Sequence, residues 1–95
     1  MAEMNGSQIL TRSLALAGVE DIFYLMGGPM LATENGCKEA GIRMIDVRHE
    51  QAAAMMANAY ARLRNLPGVC MACSGPGTIN LATGMANALI DGAPV

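Results

Sequence analysis

The stretch that decides the fold is IRMIDVRHEQAAAMMANAYARLR, residues 42–64, where a strand pattern gives way to a helical one. Ile42 to Val47 is rich in β-branched residues, which favours a strand. From about Glu50 to Leu63 alanine is frequent, and the pattern predicts a helix. Alanine recurs there every four residues, at Ala53, Ala57 and Ala61. This narrow face of small side chains allows the helix to approach a sheet closely.

The same alternation of helix and strand continues in both directions along the chain. Before the stretch, the pattern predicts a helix from about Gln8 to Ala17 capped by Ser7, a strand over Ile22 to Leu25 buried on both faces, and a helix from about Met30 to Ala40. After it, the pattern predicts a strand over Val69 to Cys73 and a helix over Thr78 to Ile90. Such alternation predicts a three-layer α/β/α sandwich with a parallel sheet, flavodoxin-like or Rossmann-like and truncated where a fourth strand would begin.

Length and composition exclude several classes of protein. The 95 residues allow one domain, and a net charge of −2 with a pI near 5.1 argues against a nucleic-acid partner. No apolar run is long enough to span a membrane, and the N-terminus does not resemble a secretory signal. Three cysteines are an odd number and fit reduced thiols, so we expect a cytoplasmic location.

Two features look like chemical motifs but favour a structural interpretation. Cys70 and Cys73 form a C-x-x-C on a predicted strand, where residues three apart point to opposite faces and cannot easily share one metal or disulfide. His49 is the only histidine, and no Ser-His-Asp set can be assembled around it, so we expect it to make a structural hydrogen bond.

Three segments are expected at the carboxyl edge of the sheet, where parallel α/β proteins bind their ligands. They are Gly27-Gly28-Pro29, Arg48-His49-Glu50 and Ser74-Gly75-Pro76-Gly77. Neither glycine turn matches a dinucleotide fingerprint or a P-loop, and each taken singly is explained as ordinary strand-to-helix turn chemistry. Their meeting at one edge favours the alternative, which is close backbone approach to a flat ligand.

Glu50 admits two interpretations that the spacing does not separate. It can be a carboxylate that stabilises the start of a helix. It can also be an acid–base group held in a mostly apolar cleft near Met44 and Met55, where it shares a proton with the ring nitrogen of a heterocycle.

Taken together, the motifs resemble a known family. Residues 46–64, DVRHEQAAAMMANAYARLR, and 68–95, GVCMACSGPGTINLATGMANALIDGAPV, look like the N-terminal pyrimidine-binding domain of thiamine diphosphate-dependent enzymes. GVEDIFYLMGGP at 18–29 fits the same pattern. The likeness is greatest to the acetolactate synthase group and its 2-keto-acid and acyl-CoA decarboxylase or lyase relatives, although Leu25-Met26-Gly27-Gly28 stands where many members have Tyr-Pro-Gly-Gly.

The resemblance implies roles for four residues. The glutamate of the family that hydrogen-bonds the aminopyrimidine ring, and so promotes removal of the thiazolium C2 proton, falls on Glu50. The turn containing Pro76, and Asn80 on the helix after it, are implied to pack beside the pyrimidine, and Gly28 to line the same cleft. These are a catalytic assignment for Glu50 and cofactor-binding assignments for all four.

The resemblance also implies that residues 1–95 are an incomplete domain that supplies half of a site. Mg²⁺ and the diphosphate are held in the family by a Gly-Asp-Gly domain, normally from the partner subunit of a homodimer or homotetramer, and no such motif occurs here. We therefore expect a 2-keto acid substrate, no metal ligand in this chain, and no turnover by the chain alone; FAD is left open. The alternatives are a non-catalytic flavodoxin-like interaction module and, less well supported, a nucleotide-binding Rossmann half.

Overall fold

The computed structural model describes residues 3–95, and these form four helices around three short strands. The helices are α1 (Gly6–Leu16), α2 (Leu31–Glu39), α3 (Glu50–Arg64) and α4 (Pro76–Asp91), and the strands are β1 (Asp21–Tyr24), β2 (Arg43–Asp46) and β3 (Cys70–Met71). A short 3₁₀ turn, Gly28–Met30, leads into α2. The predicted order of elements is therefore confirmed, although β3 is shorter than expected and α4 begins two residues earlier, at Pro76.

The three strands are parallel and lie in the order β2-β1-β3. Ile22 is level with Met44, and Tyr24 is level with both Asp46 and Met71. All four residues of β1 are buried, as predicted for a strand covered on both faces. Because β1 lies in the centre, the chain moves to one side of it to form β2 and to the other side to form β3.

Helices cover both faces of the sheet, which confirms the three-layer arrangement. On one face Ile22 and Tyr24 pack with Cys37 of α2, and Leu14 of α1 borders the same cluster. On the other face Phe23 packs with Val47 and with alanines of α3. Alternate residues of β1 thus supply the two cores. Cys70 packs on the α3 face and Cys73 on the α2 face, so the prediction that they point apart is also confirmed.

Small residues allow α3 to lie unusually close to its neighbours. Ala53, Ala57 and Ala61 are fully buried, as the sequence predicted. A Cβ on Gly68 would overlap the backbone of Ala57, and a Cβ on Gly84 would overlap the side chain of Ala54. Both glycines are therefore required by close approach, one before β3 and the other on α4.

The start of α1 differs from the prediction in the residue that caps the helix. The cap of α1 is Asn5 rather than Ser7: the Asn5 side chain accepts from the backbone N–H of Gln8 at 2.9 Å, and the Gln8 side chain accepts from the Asn5 backbone at 3.1 Å. This reciprocal capping box satisfies two free donors. Ser7 instead contacts Thr33 of α2 through its hydroxyl, at 3.1 Å.

Several large apolar side chains remain on the outer faces of the helices. Leu16, Leu63, Leu89 and Ile90 are each more than 80% exposed. Among residues 3–95, no helix combines the length and the apolar character needed to cross a bilayer.

Replacing Gly84 tests the close contact between α3 and α4. Overpacking a core costs ~1–3 kcal/mol, while alanine gains about 1 kcal/mol over glycine inside a helix. We expect Gly84→Ala to lower the free energy of unfolding by up to about 2 kcal/mol in chemical denaturation, the net of these two effects. Gly6→Ala is the control, because a Cβ at Gly6 has nothing within 4 Å. Equal stability of the two variants would contradict the contact.

Candidate functional site

The candidate site is built around the first turn of α3. His49 is the cap of this helix, and its Nδ1 accepts a hydrogen bond from the backbone N–H of Gln51 at 3.1 Å. This is a structural hydrogen bond of the kind predicted for the only histidine of the sequence. Glu50 follows as the first residue of the helix, and its side chain is only partly exposed.

The two carboxylate oxygens of Glu50 have different surroundings. The Nδ2 of Asn80, one turn into α4, donates a hydrogen bond to Oε2 at 3.0 Å. Oε1 faces Gly77, where a Cβ would stand 3.2 Å from that oxygen. One oxygen is therefore held by an amide, while the other lies against a residue that has no side chain.

These contacts correct the expected surroundings of Glu50. Met44 packs in the core on the opposite, α2 face of the sheet, and Met55 is 41% exposed on the outer side of α3. The carboxylate thus lies against the start of α4 and not in an apolar cleft formed by the two methionines. The reason is that residues on alternate positions of β2 point to opposite faces, which separates Met44 from α3.

The contacts of Glu50 favour its charged form. The hydrogen bond from Asn80, followed by the hydrogen bond from its own backbone N–H, lowers the pKa of Glu50 below its ordinary range. Burial opposes this effect, and the charge of His49 adds to it. Glu50 is therefore a carboxylate at neutral pH, so it can accept a hydrogen bond from a ligand N–H.

The other residues assigned to the site from the sequence differ in how close they lie to Glu50. Pro76 is the exposed first residue of α4, one turn before Asn80. Gly28 begins the 3₁₀ turn after β1 and is exposed, and a Cβ there would have nothing within 4 Å. The structure thus joins Glu50 to Asn80 and places Pro76 at the same helix end, but it gives no contact between Gly28 and them.

Two glycines of these turns, which the sequence did not assign to the site, lie close to other side chains at this edge of the sheet. A Cβ on Gly27 would overlap the side chain of Cys73, so the turn after β1 packs against the end of the β3 segment. Gly77 lies beside Glu50. A signal for Gly77 was present, because residues 77 and 80 are three apart and share one face of a helix. No local signal distinguishes Gly27 from Gly28.

The topology places these turns around a crevice. The turn after β1 leads to α2 on one face, and the turn after β3 leads to α4 on the other face. The two neighbouring strands β1 and β3 therefore send their following turns apart, which is the switch-point geometry where open α/β sheets bind ligands. Glu50 lies beside the α4 wall of this crevice.

Two surface grooves of the described chain do not contain the candidate site. One, of about 440 Å³, is lined by residues of α1 and Ala40, and another, of about 280 Å³, is lined by His49, Gln51, Ala52 and Met55. Neither includes the Glu50 carboxylate. A crevice that is open on one side encloses little volume, so the candidate site is identified by the side chains that border it.

Among the described residues, the thiols and the acidic groups form no second cluster that indicates a reactive or metal-binding site. Burial raises the pKa of Cys70, which keeps it a thiol. Within residues 3–95, no three His, Cys, Asp or Glu side chains come close enough together to hold a metal ion.

Removing the Asn80 amide tests the electrostatics of the site. We expect Asn80→Ala to raise the pKa of Glu50 towards its ordinary value, as measured by ¹³C NMR titration. A carboxylate whose pKa is lower in the folded than in the unfolded state stabilises the fold above its unfolded pKa. That stabilisation is lost as pH falls through the folded value, so the wild-type chain should lose stability more steeply on acidification.

The control for this titration is Asn87→Ala, which removes another α4 amide that does not contact Glu50. An unchanged Glu50 pKa in Asn80→Ala would show that the hydrogen bond is absent in solution.

Comparison with known proteins shows which family the chain resembles. The family "Thiamine pyrophosphate enzyme, N-terminal TPP binding domain" matches residues 4–95. The chain is 44% identical over 92 residues to the acetolactate synthase isozyme 2 large subunit of Escherichia coli, covering 97% of this chain and 17% of that protein. It is 41% identical over 91 residues to acetolactate synthase 2, chloroplastic, of Nicotiana tabacum, covering 95% of this chain and 14% of that protein.

A third relative differs in the activity that its name gives. The probable 2-ketoarginine decarboxylase of Pseudomonas aeruginosa is 40% identical over 92 residues, covering 97% of this chain and 16% of that protein. The chain thus spans about a sixth of the length of these relatives. It belongs to the thiamine pyrophosphate enzyme family, in the acetolactate synthase-like group, and corresponds to the N-terminal TPP-binding domain.

Proposed function

We propose that this chain supplies the pyrimidine-binding half of a thiamine diphosphate site, with Glu50 as the carboxylate that activates the cofactor. The observation that carries the proposal is the arrangement of Glu50, which has one oxygen held by Asn80 and the other beside Gly77. A carboxylate of lowered pKa, fixed at a switch-point crevice, is a suitable partner for a protonated ring nitrogen.

The residues present fit an aminopyrimidine in two further respects. A side chain at Gly77 would press on Oε1, so glycine keeps the space beside this oxygen free of a side chain. The turns at Gly28 and at Pro76 are exposed and present little side-chain bulk to the crevice, which suits a flat ring. In this proposal Glu50 binds the ring nitrogen, Asn80 orients Glu50, and Gly28 and Pro76 border the ring.

Thiamine diphosphate, when bound, supplies the carbanion chemistry that breaks or forms a bond next to a keto group. The part of this chain is to position the ring and to hold a proton between Oε1 of Glu50 and the ring nitrogen. Since the names of the relatives include acetolactate synthases and a 2-ketoarginine decarboxylase, we propose a 2-keto acid as substrate and carboligation or decarboxylation as the reaction.

The remaining half of the site is proposed to come from elsewhere. Among residues 3–95, no three His, Cys, Asp or Glu side chains are grouped closely enough to hold a metal ion. We propose that a separate domain, carried by a partner subunit of a homodimer or homotetramer, holds both. By this proposal the chain alone does not turn over substrate.

Glu50→Gln tests the proposed role. In the full-length protein loaded with thiamine diphosphate and Mg²⁺, we expect this variant to fold normally and to lose nearly all exchange of the cofactor C2 proton with deuterium, measured by ¹H NMR. The amide keeps the size of the side chain but cannot act as a carboxylate.

Glu39→Gln is the matched control, since it removes one negative charge from an exposed residue at the end of α2. It should leave the exchange rate unchanged. Normal exchange in Glu50→Gln would refute the role, and failure of the full-length protein to bind thiamine diphosphate would favour a non-catalytic interaction module.

A further inference from the structure

Helices α3 and α4 touch at three levels that are evenly spaced along α3. Glu50 meets Asn80 at the first level, and Ala54 meets Gly84 at the second. At the third level Asn58 meets Asp91. The three α3 residues are four positions apart and therefore lie on one face. Their partners follow in the same order along α4, so the two helices run parallel.

The middle level brings the helices together at a small contact. It consists of a glycine on α4 against an alanine on α3. The adjoining buried residues are also small, and they include Ala57 and Ala88. Position along a helix pair is normally fixed by large side chains that fit into grooves of the partner. Here the close contact at Gly84 and the partly buried Leu81 of α4 supply part of that fit, and the polar contacts at the two ends of the pair complete it.

The third level is a buried polar contact that packing alone does not explain. Asn58 is 4% exposed, and its Nδ2 donates to Oδ2 of Asp91 at 3.2 Å. The same oxygen lies 3.5 Å from Nη1 of Arg62, also on α3, but that side chain is 64% exposed and its ion pair is screened by solvent. The Oδ1 of Asn58 is buried and has no hydrogen-bond partner within the described residues. Such an oxygen lowers stability, so an apolar residue would pack better here. Buried polar residues in helix interfaces have a well-attested alternative role, which is to specify register.

We infer that Asn58 is a positioning residue, whose hydrogen bond to Asp91 fixes α4 along α3 and thereby keeps the Asn80 amide on the Glu50 carboxylate. Asn58 is eight residues beyond Glu50, about 12 Å along the helix, and so acts only through α4. A slide of one helical turn, about 5.4 Å, would take Asn80 out of hydrogen-bond reach. The inference rests on the proposed function only for what Glu50 does once it is oriented.

The test is a ¹³C NMR titration of the Glu50 carboxyl in the 95-residue chain, with the signal assigned by comparison with Glu50→Gln. Asn58→Leu removes the donor, keeps the branched shape of the side chain and changes no charge. We expect the pKa of Glu50 to rise in this variant towards the value found in Asn80→Ala. The side-chain amide signal of Asn80 should shift at the same time, because its acceptor is lost.

The control and the rescue separate register from general packing. Asn87→Leu removes the other amide that donates to Asp91, but Asn87 is on α4 itself and cannot fix one helix against the other. It should leave the Glu50 pKa unchanged. The double variant Asn58→Asp with Asp91→Asn reverses donor and acceptor at the same net charge, and it should keep the Glu50 pKa as low as in the wild type.

The inference is overturned if Asn58→Leu folds and its Glu50 pKa and Asn80 signal match the wild type. It is also overturned if Asn87→Leu shifts the Glu50 pKa by as much as Asn58→Leu does. If Asn58→Leu does not fold, Asn58→Ala removes the same hydrogen bond without touching the Arg62–Asp91 ion pair, and it is judged by the same criteria. The titration needs no cofactor. A raised Glu50 pKa combined with normal C2-proton exchange in Glu50→Gln would therefore reject the proposed function and retain the positioning role.

Discussion

The close approach of α3 to its neighbours is the constraint on which the rest of the structure depends. The helix presents alanines to the sheet and to α4, and glycines at 68 and 84 remove the side chains that would hold the surfaces apart. Interiors are packed too tightly to absorb an extra carbon without a shift of backbone. Because α3 lies this close to α4, a glutamate at the start of one helix can reach an asparagine one turn into the other.

The short distance between α3 and α4 determines the surroundings and the charge state of the Glu50 carboxylate. A carboxylate at the start of a helix is ordinary, since the helix dipole favours it. Here one oxygen is in addition held by Asn80, which orients the group and stabilises its charge, while the other oxygen lies beside Gly77. A fixed direction and a negative charge at neutral pH are the two properties on which the proposed role of Glu50 depends. The site thus arises from packing between two helices rather than from a glycine motif.

Much of the fold could be predicted because its causes are local. The apolar run around Ile22 to Tyr24 indicates a strand buried on both faces, and period-two geometry separates Cys70 from Cys73. Gly18 and Gly41 have positive φ angles of 89° and 78° just beyond α1 and α2, which is where glycine is expected to end a helix. The cap of α1 was mispredicted because Asn5 and Ser7 are both good caps, and the reciprocal bond with Gln8 favours Asn5.

The sequence by itself determined the alternation of helices and strands, the parallel sheet, the alanine face of α3 and the place of Glu50 at the carboxyl edge. These follow from periodicity and turn chemistry within a few residues. Only the tertiary structure decided that Asn80 holds Glu50, that Gly27 rather than Gly28 packs on Cys73, and that Met44 lies on the far face from the site. The paired groups are 20 to 50 residues apart in the chain, so their contact depends on how helices and turns sit against one another in space, and no local pattern encodes that.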